Sequence, residues 1–343
     1  MTPSYLGLEI TDRCDLACSH CLRLVVPPHA ARARDLDVDL VRRVCAEAKE
    51  IGISSVALTG GEPMLHPRFL DLVDAIVDHG MRYNFLSNGL GIAELMPRLL
   101  ERPERRELLR DVSISLDGAT EETHDAVRGR GTFRRSLAGI AVLRALDVPF
   151  CIVTTIQRLN RHEIDALGLL AHHLGATQIS FAHFLPNGRP HATRDLDLTI
   201  PERLEVEYVI KRLMHAMRFK ISISEGYKTD HVDYECVTIQ RRGVNVDPNG
   251  HMTFCCELSN FYGDERPAET RSDWIADLAK TSLRDAIALQ TAAIERFRRE
   301  RLADADAGKF TEDDYFACRY CVRHFGKPER EIVQIRRRNT ALI

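Results

Sequence analysis

The sequence predicts an α/β fold: a partial (βα)6 barrel built on a parallel sheet, followed by a small α+β domain. Two patterns predict it. From the N-terminus to about residue 200, short β-branched apolar runs alternate with longer amphipathic stretches, the order that a parallel sheet with crossover helices requires. Beyond residue 200 the alternation stops, and Pro248-Asn249-Gly250 between two short apolar runs marks a hairpin turn.

Strands are expected at 5–10, 54–59, 83–87, 112–116, 149–156 and 177–184, with helices at 38–51, 68–79, 92–100, 132–146 and 162–174 between them. Six such units fit an open barrel rather than a closed eightfold one. Residues 201–219 read as another helix, 244–247 and 251–254 as the hairpin strands, and 281–302 as a long charged helix. Its arginine-rich stretch, Glu295 to Arg301, is expected to form a solvated face. The domain break is placed at residue 200, dividing the chain into 1–200 and 201–343.

Composition narrows the functional classes. In 343 residues, 44% hydrophobic and 28% charged content are those of a globular protein with a sizeable core. A formal charge of −3 gives no polyelectrolyte surface for nucleic acid. The N-terminus MTPSYLGLEI has no signal-peptide pattern, and no run of 18 apolar residues is present. The expected location is therefore cytoplasmic, with no membrane partner. Ten cysteines without an export signal point to metal binding or catalysis rather than disulfides.

Cys14, Cys18 and Cys21 form a C-x3-C-x2-C loop directly after the first strand. Three thiolates can hold three irons of a cubane and leave the fourth open, where iron–sulfur clusters usually take four cysteines. The alternative is structural zinc, which needs a fourth ligand that His20 is poorly placed to supply. Thr59-Gly60-Gly61-Glu62-Pro63 follows the second strand, Ser87-Asn88-Gly89 ends the third and Ser115-Leu116-Asp117-Gly118 ends the fourth. The glycines suit close approach of backbone to a ligand, and Glu62 suits an ammonium. Plain turn chemistry is the alternative for the two serine-led runs.

Together these motifs resemble the radical S-adenosylmethionine (SAM) superfamily. The resemblance implies a [4Fe–4S] cluster on Cys14, Cys18 and Cys21 that binds SAM at its open iron. It implies SAM contacts from Gly60, Gly61, Glu62, Ser87, Asn88, Ser115 and Asp117, with His20 packing near the adenine. The implied chemistry is reductive cleavage of SAM to a 5′-deoxyadenosyl radical that removes a substrate hydrogen atom. A flavodoxin- or ferredoxin-type electron donor is implied with it.

Cys236, Cys255, Cys256, Cys318 and Cys321 all follow residue 230. Cys236, Cys255, Cys318 and Cys321 can close a four-cysteine site, for which structural zinc is the alternative. The layout resembles the twitch-type auxiliary domain, related to SPASM, of some radical SAM enzymes, which implies a second [4Fe–4S] cluster. Cys256 is left over, as a spare, an alternative ligand or a thiol that returns a hydrogen atom to a substrate radical. Cys45 and Cys151 read as small buried hydrophobes. His183, Asn187 and Arg189 past the sixth strand, and Glu225, Tyr227 and His231 in the connector, are candidates to face substrate or simply loop residues.

The leading expectation is oxidation or epimerisation at a C–H next to oxygen or nitrogen of a sugar, aminocyclitol or related small molecule. The alternative is radical modification of a ribosomally synthesised peptide: a thioether or carbon–carbon crosslink, or epimerisation. The barrel begins by residue 5, without an N-terminal leader-binding domain, which tilts the expectation toward the small molecule. A third class is a non-catalytic zinc and SAM-binding or electron-carrying protein.

Overall fold

The structure, a computed structural model, describes residues 3–185, 194–259 and 273–326. Six strands lie side by side in chain order: β1 (Tyr5–Thr11), β2 (Ser55–Gly60), β3 (Arg82–Ser87), β4 (Leu109–Ser115), β5 (Phe150–Ile156) and β6 (Gln178–His183). Every neighbouring pair among them is parallel. The alternation of strand and helix patterns is thus realised as an open parallel sheet.

β1 shows why the pattern folds this way. Leu6, Leu8 and Ile10 are fully buried in one apolar core with Val41, Val44, Cys45 and Ala48 of α1 (Val38–Ile51). Glu9 and Thr11, pointing the other way, are buried as well, as expected for a parallel sheet covered on both faces. The Asp37 side chain caps α1 by accepting the Leu40 N–H at 2.8 Å, and Gly52 ends it in the left-handed region. The remaining crossover helices are α2 (Phe69–Val77), α3 (Ile92–Leu100), α4 (Pro103–Leu108), α5 (Glu121–Arg128), α6 (Thr132–Ala145) and α7 (Ile164–His173). Periodicity did not signal α4 or α5. α4 buries no residue and α5 buries only His124 and Val127, so neither carries an apolar stripe.

The sheet continues past residue 200. α8 (Ile200–Ala216) packs on α7, and β7 (Lys220–Ile223) extends the sheet parallel to β6. On the opposite edge β8 (Gly243–Val246) pairs parallel with β1. β9 (His251–Thr253) returns antiparallel to β8, through the expected turn with Gly250 at φ +82°. β10 (Trp274–Asp277) completes the edge antiparallel to β9. A second apolar cluster joins Tyr234, Ile239, Phe254 and Leu258 to Ile294 and Phe297 of α9 (Leu283–Asp306) and Tyr320 of α10 (Ala317–His324).

The solvated face expected for Glu295 to Arg301 holds for Glu295, Arg296, Arg299 and Glu300, which are exposed. It fails for Arg301, which is 2% exposed. The turn of the helix carries that side chain inward, among the aromatic rings of the second cluster. Among the described residues no helix is long and apolar enough to cross a membrane.

Candidate functional site

The cysteine loop leaves the C-terminal end of β1, the end of the sheet where barrel sites are built. Its root is pinned by charge: Arg13 binds Asp35 through Nε and Nη2, and Arg34 binds Asp12 at 2.7 Å. Backbone bonds close the loop, with Cys14 N–H on Val26 O and Val26 N–H on Asp12 O, both 2.9 Å. Ser19 N–H reaches Val127 O of α5 at 2.9 Å. All three thiols are free. Burial pushes Cys14 up to about 12 and Cys18 up to about 11, and each feels the charge of its partner cysteines. Cys18 is buried and Cys14 and Cys21 are half-buried, a setting that suits a cationic centre, which would hold the sulfurs as thiolates.

Gly60 and Gly61 also have a packing role. A methyl group at Gly60 would run into the backbone oxygen of Thr11, and one at Gly61 into that of Arg13. The bare backbone lets the turn dock on the root of the cysteine loop, with Gly61 N–H on Thr11 O and Glu62 N–H on Arg13 O, both 2.7 Å. The close approach that the bare backbone permits here is to Thr11 and Arg13. It fixes Glu62 beside the loop.

Glu62 is buried, and burial raises its carboxyl to about 7 against three hydrogen bonds. It accepts from Asn88 N–H at 2.7 Å, Ser87 Oγ at 3.3 Å and Met64 N–H at 3.3 Å. The Asn88 amide donates to Asp15 at 2.8 Å. Two carboxylates, Glu62 and Asp15, therefore flank the same strand end, and the cation they would welcome fits an amino group. Asp15 was not singled out from sequence, since an acid between two cysteines carries no spacing signal.

Ser115 is buried at the end of β4. Asp117 is fully buried and committed to protein partners: Arg128 Nε at 2.6 Å, Thr155 N–H at 2.8 Å and His20 Nε2 at 3.5 Å. Burial works to raise its carboxyl, but Arg128 and His20 outweigh it and hold it below the ordinary value. These partners let it orient His20 and Arg128 at the rim. Burial drives His20 down to about 4, so the ring is neutral. Its Nδ1, and Nε2 of His124, are buried without a partner. Arg128 lies within charge range of Cys18 and Cys21. It escaped the sequence reading because α5 did.

The second set gathers from three places. Cys236 precedes a turn whose Ile239 N–H points at its sulfur at 3.4 Å, Cys255 and Cys256 follow β9, and Cys318 and Cys321 share one face of α10. Cys236, Cys318 and Cys321 feel one another's charge, as do Cys255 and Cys318. Gly226, at φ +101°, leaves room at Cys318, where a Cβ would stand 2.8 Å from the sulfur. Tyr234 Oη lies 3.0 Å from Cys321 Sγ. Among the described residues no three His, Cys, Asp or Glu side chains converge as around a single ion. A cubane is several ångströms across with one thiolate at each corner, so its ligands stand apart.

A buried polar seam joins the two sets. Arg23 bonds Glu9 at 2.5 Å, Ser259 Oγ at 3.3 Å and Cys256 O at 3.4 Å. Asn245 of β8 donates to Glu9 at 3.1 Å and to Thr253 at 2.8 Å. Arg23 thus holds the Cys256 carbonyl and lies within charge range of its thiol. Of the other candidates, His183 is half-buried beside Tyr227 and Phe316, and desolvation, then Arg319 and Arg203, push it well below its ordinary value. Glu225 accepts from Val237 N–H, and His231 is exposed. Asn187 and Arg189 lie outside the described residues. Cys45 and Cys151 are buried.

Residues 8–170 match the radical SAM superfamily. The chain is 34% identical over 203 residues to the AdoMet-dependent haem synthase of Methanosarcina barkeri, covering 59% of this chain and 56% of that protein. It is 28% identical over 261 residues to the PqqA peptide cyclase of Ruegeria pomeroyi, covering 74% and 67%. To the mycofactocin maturase MftC of Mycobacterium tuberculosis it is 34% identical over 193 residues, covering 54% and 46%. The chain spans about half to two-thirds of the length of these curated relatives. The fold is similar to Streptococcus suis SuiB bound to its precursor peptide SuiA, with TM-score 0.60, 14% identity, and 83% of this chain and 64% of that one covered. It is similar also to anSMEcpe with bound AdoMet, with TM-score 0.63, 14% identity, and 85% and 83% covered. Radical SAM proteins use a [4Fe–4S] cluster and SAM, and their SPASM-type members carry additional clusters. The cysteine loop, the Gly-Gly-Glu turn and both strand-end motifs fall inside the matched span, and the chain carries a radical SAM domain.

Proposed function

We propose that this chain is a radical SAM enzyme that modifies a ribosomally made peptide. The similarity to PqqA peptide cyclase carries the peptide reading: of the relatives named above it reaches furthest, over 74% of the chain. It favours the peptide alternative over the sugar or aminocyclitol expectation. A second reading, a haem-forming reaction, is favoured by the 34% identity to the haem synthase.

Cys14, Cys18 and Cys21 would hold the first cluster, and Cys236, Cys255, Cys318 and Cys321 the second. A cluster held there would supply the electron for reductive cleavage of SAM. Glu62 and Asp15 offer negative charge to the SAM ammonium. Asn88 ties both carboxylates to the end of β3, and Ser115 supplies a hydroxyl at the end of β4. Arg128 and Asp117 hold His20 beside the loop. Burial of this rim excludes water from a reactive intermediate. The C-terminal residues would form the twitch-type domain, and a flavodoxin or ferredoxin would deliver electrons.

The test is anaerobic reconstitution with iron and sulfide, then dithionite and SAM. Formation of 5′-deoxyadenosine is expected, with a mass change in a precursor peptide encoded beside the gene. 5′-Deoxyadenosine without any peptide change, together with consumption of a haem precursor, would move the assignment to the second reading.

A further inference from the structure

The buried arginines described above have carboxylates. Arg23 has Glu9, Arg128 has Asp117, and Arg203 has Asp313. Arg301 differs. It is the bulkiest of the fully buried side chains, at 2% exposed. Its Nε donates to Val232 O at 2.6 Å and its Nη2 to Asp314 O at 3.0 Å, both backbone, and Nη1 has no partner. The acids near it are engaged elsewhere: Asp304 accepts from Tyr320 and Lys309, and the Asp314 carboxylate from Arg323. Among the described residues no carboxylate lies in ion-pair range of Arg301.

The guanidinium instead lies over the rings of Tyr320 at 4.3 Å, Tyr234 at 4.4 Å and Phe310 at 4.9 Å. Ring faces attract a cation but cannot neutralise it. A buried charge without an opposite charge is heavily penalised. The Asp314 carboxylate lies within charge range of Arg301 but is shared with Arg323, and the other anionic group in range belongs to the second cysteine set: Tyr234 both faces Arg301 and touches Cys321 Sγ at 3.0 Å. A cubane with four thiolates has a net negative charge, because the thiolates outweigh the core.

We propose that Arg301 is the built-in counter-ion of the second cysteine site, facing the anionic cluster across Tyr234 and easing its reduction. The inference rests on the two-cluster reading above. A fixed positive charge favours the more negative, reduced form, so its loss lowers the potential.

The experiment uses the full chain with Cys14, Cys18 and Cys21 replaced by alanine, so that a single cluster signal remains. Arg301→Met keeps the bulk and removes the charge; Arg301→Lys keeps the charge. In an EPR-monitored redox titration, Arg301→Met is expected to weaken one-electron reduction at least tenfold, a shift of about 59 mV. Arg301→Lys should shift it less than Arg301→Met. Thermal melting of the metal-free chain supplies a second arm. There Arg301→Met should melt no lower than its parent, while the loaded variant melts lower than its loaded parent. An unmoved potential at full iron content overturns the proposal, as does equal destabilisation of loaded and metal-free chains. Absence of iron from the second set of the parent would overturn the two-cluster reading. The metal-free melting would still decide whether Arg301 is an uncompensated charge.

Discussion

Asn88 donates its side-chain amide to Asp15 at 2.8 Å and its backbone N–H to Glu62 at 2.7 Å. One residue at the end of β3 thereby connects an acid inside the cysteine loop to the acid of the Gly-Gly-Glu turn. Asn88→Ala should release Asp15 while the backbone N–H stays on Glu62. A loss of SAM affinity of roughly tenfold is expected, equivalent to about 1.4 kcal/mol, with iron content at the first loop unchanged. Calorimetric titration of SAM into the reconstituted chain measures it.

Glu62 gives a pH signature that needs no cofactor. Its carboxyl rises from 4.5 to about 7 on folding, with burial as the main cause. The folded chain then binds this proton more tightly than the unfolded chain. Its contribution to stability is full below 4.5 and falls as the pH rises toward 7. Denaturant melts of the metal-free chain should show that decline for the wild type and lose it in Glu62→Gln.

Gly61→Ala should separate the turn from the loop it docks on, since the new methyl meets the Arg13 carbonyl. Overpacking of this kind costs about 1–3 kcal/mol. A lower melting temperature is expected, with iron lost from the first loop and kept in the second set.

Metal content distinguishes clusters from zinc. Two cubanes correspond to about eight irons and eight sulfides per chain. Replacing Cys14, Cys18 and Cys21, or separately Cys236, Cys255, Cys318 and Cys321, should halve the count. Zinc in place of iron, with no visible absorption, would remove the radical reading. Cys256→Ala should keep the full complement, because four other cysteines supply the second site.

Arg23→Met strands Glu9 in a fully buried position. Breaking a buried pair costs about 3–5 kcal/mol. Glu9→Gln in the same chain should recover much of the loss in a denaturant melt, and full additivity of the two substitutions would show the seam is not coupled.

The strand ends were legible in the sequence because each motif terminates a short apolar run, and the parallel sheet brings all such ends to one rim. Gly60 and Gly61 were recognised as positions of close approach, but what they approach, the backbone of Thr11 and Arg13, depends on strand register that no local pattern encodes. Arg301 read as one more exposed residue in a basic stretch. Its burial is decided by one turn of α9 meeting Tyr234 and Tyr320. Asp15 and Arg128 acquire roles only through residues distant in sequence, on β3 and beside Asp117. The short strands β7 and β10 have too few residues to show a period.

The pairing of β1 with β8 joins Tyr5 to Gly243. The strand that launches the first cysteine loop is made early, yet one of its edges waits for residues synthesised much later. Pairings of such long sequence separation form slowly. The ligands that emerge first are thus enclosed last. Iron–sulfur delivery to the first loop has an interval during synthesis when Cys14, Cys18 and Cys21 are present but the seam through Arg23 and Asn245 is not. A ribosome-bound chain ending before residue 243 should expose that loop to thiol reagents that the complete chain resists.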